Sequence, residues 1–174
     1  MADDHFSLFG LPRAFALDAD ALERAWRDVA ARVHPDRYAT ASAAEKRVAM
    51  QWSARANEAY RTLRDPLQRA RYLCETDGVD LQTESNTAMS PDFLMQQMAW
   101  REALDDARES GDPQQFAALA EELRDAEREL GATVGSLLDE KQDAAQAGLR
   151  VREWMFLDRL AEALRAEAGA TSPR

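Results

Sequence analysis

Cysteine occurs once in the 174 residues and histidine twice. Cys74 therefore has no internal disulfide partner, and Cys74, His5 and His34 are too few to build a zinc cluster. Glycine is scarce, at seven residues. There is no glycine-rich phosphate loop, and no nucleophile stands at a diagnostic spacing from a histidine, so the common signatures of an enzyme are missing. Long apolar runs are missing too. The start, Met1-Ala2-Asp3-Asp4-His5, is acidic, and nothing reads as a secretory, transit or membrane-spanning segment. A cytoplasmic setting without membrane contact is the expectation. Excess positive charge is also absent: the net charge is −10, which excludes the basic surface that general nucleic-acid binding requires.

Apolar residues are plentiful at 45%, enough for a core. Ala, Leu, Glu and Arg dominate and almost no stretch alternates like a strand, so the fold class is all-α. The acidity is unevenly placed. Up to residue 77 there are 12 Lys and Arg against 12 Asp and Glu, and beyond it 10 against 20. A neutral half joined to an acidic half predicts two modules with different partners.

In the first module, residues 1–76, Phe6, Leu8, Phe9 and Leu11 form a short apolar turn packed on later helices. Asp18 is placed to cap the next helix, with Asp20 at its positive end and Leu17 and Leu22 at staple spacing. Leu22, Trp26, Val29 and Val33 then form a buried stripe, while Arg24 and Arg27 fall on the opposite side. That basic side is either a solvated face or a docking surface for an acidic partner. Ser42-Ala43-Ala44-Glu45 is a capping box, and Val48, Trp52, Ala56, Ala59 and Leu63 make the stripe of the helix it opens. Asp65-Pro66 ends this helix and starts a short one through Leu73. The two long helices form an antiparallel hairpin. Between them lies His34-Pro35-Asp36, where proline stops the first helix and leaves an exposed loop. His34 and Asp36 are poor candidates for catalysis or metal binding, because the chain supplies no further ligands or nucleophile around them.

Residues 77–90 read as a linker, packed by Val79 and Leu81. Ser90-Pro91-Asp92 restarts a helix with cap, N1 proline and dipole-matched carboxylate in order. It ends near Ser110-Gly111, and Asp112-Pro113 opens another, lined by Phe116, Leu119, Leu123, Leu130, Val134 and Leu137. A last helix, about 143–167, carries Leu149, Phe156, Leu157, Leu160 and Leu164. Residues 91–168 are thus a three-helix bundle, and 169–174 a frayed tail. On the helix from Pro91, the residues Phe93, Trp100, Leu104 and Ala107 share one face. Leu94, Met95 and Met98 lie opposite, beside Glu102, Asp105 and Asp106. An apolar second face rimmed by acids is either covered by neighbouring chain or a protein-binding surface, for which methionine is well suited.

His-Pro-Asp at the turn of a hairpin with a basic face resembles the J-domain of DnaJ-type co-chaperones. So do Phe6-Ser7-Leu8-Phe9-Gly10-Leu11-Pro12, Asn57-Glu58-Ala59-Tyr60-Arg61-Thr62-Leu63 and Asp65-Pro66-Leu67-Gln68-Arg69-Ala70. A J-domain followed by a short acidic bundle is similar to the HscB family of iron–sulfur-cluster co-chaperones. Phe93-Leu94-Met95-Gln96-Gln97-Met98, Arg101-Glu102-Ala103-Leu104-Asp105 and Phe156-Leu157-Asp158-Arg159-Leu160 match that family in place, so the resemblance spans the whole chain. It implies an L-shaped co-chaperone with no chemistry and no cofactor of its own. His34, Pro35, Asp36, Arg24, Arg27, Arg32 and Arg37 would engage an HscA/DnaK-type ATPase chaperone and stimulate its ATP hydrolysis. Leu94, Met95, Met98, Glu102, Asp106 and Phe156 would hold an IscU-type iron–sulfur scaffold, although the helical projection places Phe156 on the core side. Arg37 stands where members often have lysine, and Ala99 where relatives can carry a carboxylate. The N-terminal cysteine pairs of some eukaryotic relatives are missing, which fits a bacterial-type member. The alternative is a general J-protein whose helical tail serves oligomerisation or another client.

Overall fold

The computed structural model describes residues 4–82 and 89–170. It contains helices and turns and, among the described residues, no strand. The chain divides into two compact units, Met1–Leu73 and Cys74–Arg174.

In the first unit, α1 (His5–Leu8) is capped by Asp4 and buries Phe6. α2 (Ala19–Arg32) starts at Asp18, whose carboxylate accepts from the N–H groups of Asp20 and Ala21. α3 (Ala43–Arg64) opens on a complete capping box, with Ser42 and Glu45 each bonding the other's backbone N–H. Two otherwise orphaned donors are thereby satisfied. α4 (Pro66–Thr76) follows Asp65 directly and runs past Leu73, where the sequence suggested it would stop.

The hairpin core differs from the expected stripes. On α2 only Leu22 is buried, while Trp26, Val29 and Val33 are half-buried. On α3 the buried residues are Ala49, Ala56, Ala59 and Leu63, whereas Val48 is 52% exposed and Trp52 40% exposed. Alanines let the neighbouring backbone come close, so the seam rotates toward them and leaves the bulkier Val48 and Trp52 at its margin. Trp26 is nonetheless held: its ring stacks on Tyr60 at 4.4 Å between centroids, and its Nε1–H donates to Asn57 at 3.0 Å. Arg69 is a buried tie. Its guanidinium donates to the carbonyls of Phe15 and Leu63, both at 2.7 Å, and lies over the Phe15 ring.

The second unit is built on α5 (Pro91–Ser110), α6 (Pro113–Gly135) and α7 (Ala144–Ala170). Ser90 and Asp112 cap the first two, each followed by a proline whose missing N–H would have been unpaired anyway. Gly111 closes α5 at φ +63°, a left-handed position that suits glycine. The core joins Trp100, Leu104 and Ala107 of α5 with Phe116, Leu119 and Leu123 of α6 and Leu157, Leu160, Ala161 and Leu164 of α7. Burial of each large side chain contributes about 1.5–3 kcal/mol. After α6 the backbone widens into a π-helical turn, Ser136–Glu140, and Gln142 turns the chain with φ +51°. Ahead of α5, Leu81 is buried, and Val79 packs where Gly148 leaves room on α7. The rest of the expected linker, 83–88, lies outside the described residues. α7 continues through Gly169 and Ala170, two residues into the tail expected to fray, and 171–174 also lie outside.

Candidate protein-interaction surfaces

α2 ends at Val33, whose N–H still bonds the Val29 carbonyl, and His34 then turns the chain into an extended conformation. Pro35 opens a single 3-10 turn, Pro35–Tyr38. His34 caps this turn itself, its Nδ1 accepting the Asp36 N–H at 3.2 Å, and the Arg37 N–H donates to the His34 carbonyl at 3.0 Å. With Nδ1 as the acceptor the ring's hydrogen stands on Nε2, and the Asp36 carboxylate lies 3.6 Å from the same Nδ1. The His34 and Asp36 side chains are 59% and 94% exposed, so both are presented to solvent by a loop that is ordered from within. Arg24, Arg27, Arg32 and Arg37 are exposed around it. Arg27 pairs with Glu23 on its own helix. The other three make no ion pair among the described residues, which leaves their charge available to an acidic partner.

A groove of about 580 Å³ lies beside this loop, lined by Leu8, Val29, Val33, Val48 and Trp52 with Arg32 at its edge. The sequence projection missed it, because it assigned Val48 and Trp52 to the core. Its only sequence trace is the run of alanines that displaces them.

On the second unit, α5 is two-faced. Trp100, Leu104 and Ala107 are buried in the bundle, and Leu94, Met95 and Met98 are 44%, 70% and 71% exposed on the other side. Glu102, Asp105 and Asp106 are exposed along the same side. Asp105 is engaged by Arg108, which also holds Glu167. Glu102 and Asp106 have no ion pair among the described residues. Phe156 is half-buried at the α5–α7 seam. It meets Phe93 edge-on at 6.0 Å, and the Arg101 guanidinium sits 5.3 Å above its ring. It therefore packs against the core from the margin, one side already used within the bundle.

One buried residue carried no sequence signal. Glu153 on α7 is 2% exposed and pairs with Arg150 at 2.9 Å. A helical projection reads a glutamate as solvated, so nothing in the spacing marks it as buried. Among the described residues no group of three or more His, Cys, Asp or Glu could hold a metal ion, and no helix is long and apolar enough to cross a membrane.

A self-capped His-Pro-Asp turn on a basic helical hairpin, with an acidic two-faced bundle on the same chain, defines a two-module co-chaperone of the J-domain class. Comparison with known proteins narrows this. The family model described as the HSCB C-terminal oligomerisation domain matches residues 89–165. The chain is 71% identical over 165 residues to a co-chaperone protein HscB homolog of Bordetella petrii, covering 95% of this chain and 96% of that one. It is 55% identical to the homolog of Paraburkholderia xenovorans, covering 91% and 90%. Among solved structures, chaperone HscB from Vibrio cholerae superposes with a TM-score of 0.84 at 32% identity, over 97% of this chain and 99% of that one. Human co-chaperone protein HscB gives 0.88 at 25% identity, over 95% and 82%. The chain belongs to the HscB family of co-chaperones.

Proposed function

We propose that the first unit stimulates ATP hydrolysis by an HscA/DnaK-type chaperone while the second binds an IscU-type iron–sulfur scaffold and delivers it to that chaperone. His34, Pro35 and Asp36 form the working loop, and Arg24, Arg27, Arg32 and Arg37 form the docking face. A rigid, exposed carboxylate competes for a partner's arginine and biases its conformational equilibrium. Leu94, Met95, Met98, Glu102 and Asp106 form the scaffold face, with Phe156 at its edge. The observation that supports the reading most is the exposure of Leu94, Met95 and Met98 on a helix whose opposite face is already in the core. Joining both surfaces on one chain raises the effective concentration of scaffold near the chaperone. The protein works in the cytoplasm, without chemistry of its own and without nucleic acid.

Steady-state ATPase of a DnaK-type chaperone tests this. Turnover rises most when co-chaperone and scaffold are both present. His34→Gln abolishes the stimulation yet leaves the fold and scaffold binding intact, because at most one capping bond on an exposed turn is lost. Stimulation that survives His34→Gln would refute the assignment of the loop. The description of the matching family model favours a second reading, self-association of the bundle. Sedimentation equilibrium distinguishes the two: a dimer that Met95→Asp dissociates would place self-association, rather than scaffold, on α5.

A further inference from the structure

The methionines of the chain sit in contrasting surroundings. Met89 is half-buried and its sulfur accepts from Gln97 Nε2 at 3.2 Å, and Met155 is half-buried on α7. Met50, Met95 and Met98 are 72%, 70% and 71% exposed, the most open large apolar side chains among the described residues. Met50 belongs to α3, in the first unit. Met95 and Met98 belong to α5, where together with Glu102 and Asp106 they fall within about 80° of one another around the helix. Two thioethers thus stand in water on the face proposed to hold the scaffold.

Apolar contact alone does not call for methionine, since leucine supplies it at position 94. What the thioether adds is chemistry. A peroxide converts it to a sulfoxide: a sulfur lone pair forms an S–O bond while the O–O bond breaks. The sulfur gives up two electrons, and the peroxide's other oxygen leaves as water. A sulfoxide reductase that draws on a dithiol reverses the step, releasing the oxygen as water and leaving a disulfide on the reductant. The oxidised side chain is polar, and its new oxygen only accepts hydrogen bonds. Glu102 and Asp106 beside it, when ionised, also only accept. Water must therefore satisfy that oxygen, and a partner that strips the water away leaves a polar group unpaired, which is unfavourable. The free chain is indifferent to the change, because both side chains are already in solvent and outside the core.

We infer that Met95 and Met98 form a reversible modification site, at which oxidation by a peroxide releases the scaffold without unfolding the co-chaperone. The inference rests on the proposed scaffold face and adds a regulation to it.

The full chain is treated with hydrogen peroxide and freed of it before any scaffold is added, and the oxidised positions are located by tandem mass spectrometry. Met50, Met95 and Met98 gain oxygen well ahead of Met89 and Met155. Affinity for an IscU-type scaffold then falls about 10- to 100-fold, the scale of apolar contacts replaced by unpaired polar ones. The melting temperature and chaperone stimulation without scaffold stay unchanged. Methionine sulfoxide reductases of both epimer specificities restore binding. Dithiothreitol does not, which sets apart any reaction at the buried Cys74. Met95→Leu/Met98→Leu, nearly conserved in volume, binds scaffold before and after peroxide alike, whereas Met50→Leu loses affinity as the wild type does. Oxidised wild type that binds within twofold of the untreated chain would overturn the inference. So would a double leucine variant that peroxide still inactivates, equally fast oxidation of Met89 and Met155, or a loss of binding that tracks a fall in melting temperature. Untreated wild type that does not bind scaffold at all would instead refute the reading of α5 as the cargo face, and the regulation would fall with it.

Discussion

Truncating Met95 and Met98 to alanine should weaken scaffold binding without touching the fold. The two side chains are 70% and 71% exposed, so the free protein gains little from them and a partner that covers them gains almost all they offer. Burying a methionine fully is worth about 1.5–3 kcal/mol. With some seven-tenths of that still available and Cβ retained, each truncation removes about 1–1.5 kcal/mol, or roughly 5- to 10-fold in affinity. The double variant should bind about 30- to 100-fold more weakly, with some departure from additivity because the residues are neighbours. Leu94 differs. At 44% exposed it already spends more than half its surface within the folded chain. Leu94→Ala should therefore lose about 1 kcal/mol of binding and a comparable amount of stability, a drop of a few degrees in Tm. Isothermal titration with an IscU-type scaffold and a thermal melt of each free variant read both quantities. Affinities for the methionine variants within twofold of wild type would refute the reasoning, as would a fall of several degrees in their Tm.

Three further outcomes follow from the packing. Gly148→Ala forces a Cβ into Val79 and should destabilise the chain by about 1–3 kcal/mol in chemical denaturation, as overpacking does; adding Val79→Ala should restore most of the loss. Ala59→Leu, at a position with no exposure in the hairpin seam, should lower stability by a similar ~1–3 kcal/mol, whereas Val48→Leu at the open margin should leave the melt unchanged. Cys74 is buried and its thiol is pushed up to about 11 by desolvation and the nearby Asp77 and Glu75. Folded protein should react with a thiol reagent at pH 8 far more slowly than unfolded protein. Because the folded-state value is the higher one, the stability from this group is whole below about pH 9 and declines as pH climbs toward 11, which a denaturation series across that range would show.

Helix starts were the most legible part of the sequence. Asp18, Ser42, Ser90 and Asp112 all cap where their local chemistry says, because a cap is decided by the three or four residues around it. The two faces of α5 were legible for a related reason, since their apolar sets lie nearly opposite on one helix. The hairpin seam was less so. Projection cannot choose between Val48 and Trp52 and the alanines beside them, because that depends on how near the other helix comes. The junction of α6 and α7 was hidden as well, since the π-helical turn at Ser136–Glu140 has no proline to mark it. Glu153 was hidden most completely: a glutamate on a projected helix reads as solvated, yet this one is 2% exposed.

The way His34 is used in its own turn bears on what a partner meets. Since Nδ1 is already spent on the Asp36 N–H, the ring offers a visitor one polar edge, at Nε2, and the turn arrives with its conformational search finished. Binding then loses little chain entropy at this point. Histidine is thereby both hinge pin and handle, and the two duties fall on different nitrogens of one ring. A residue that could only cap, such as asparagine, would keep the posture of the loop and surrender its grip.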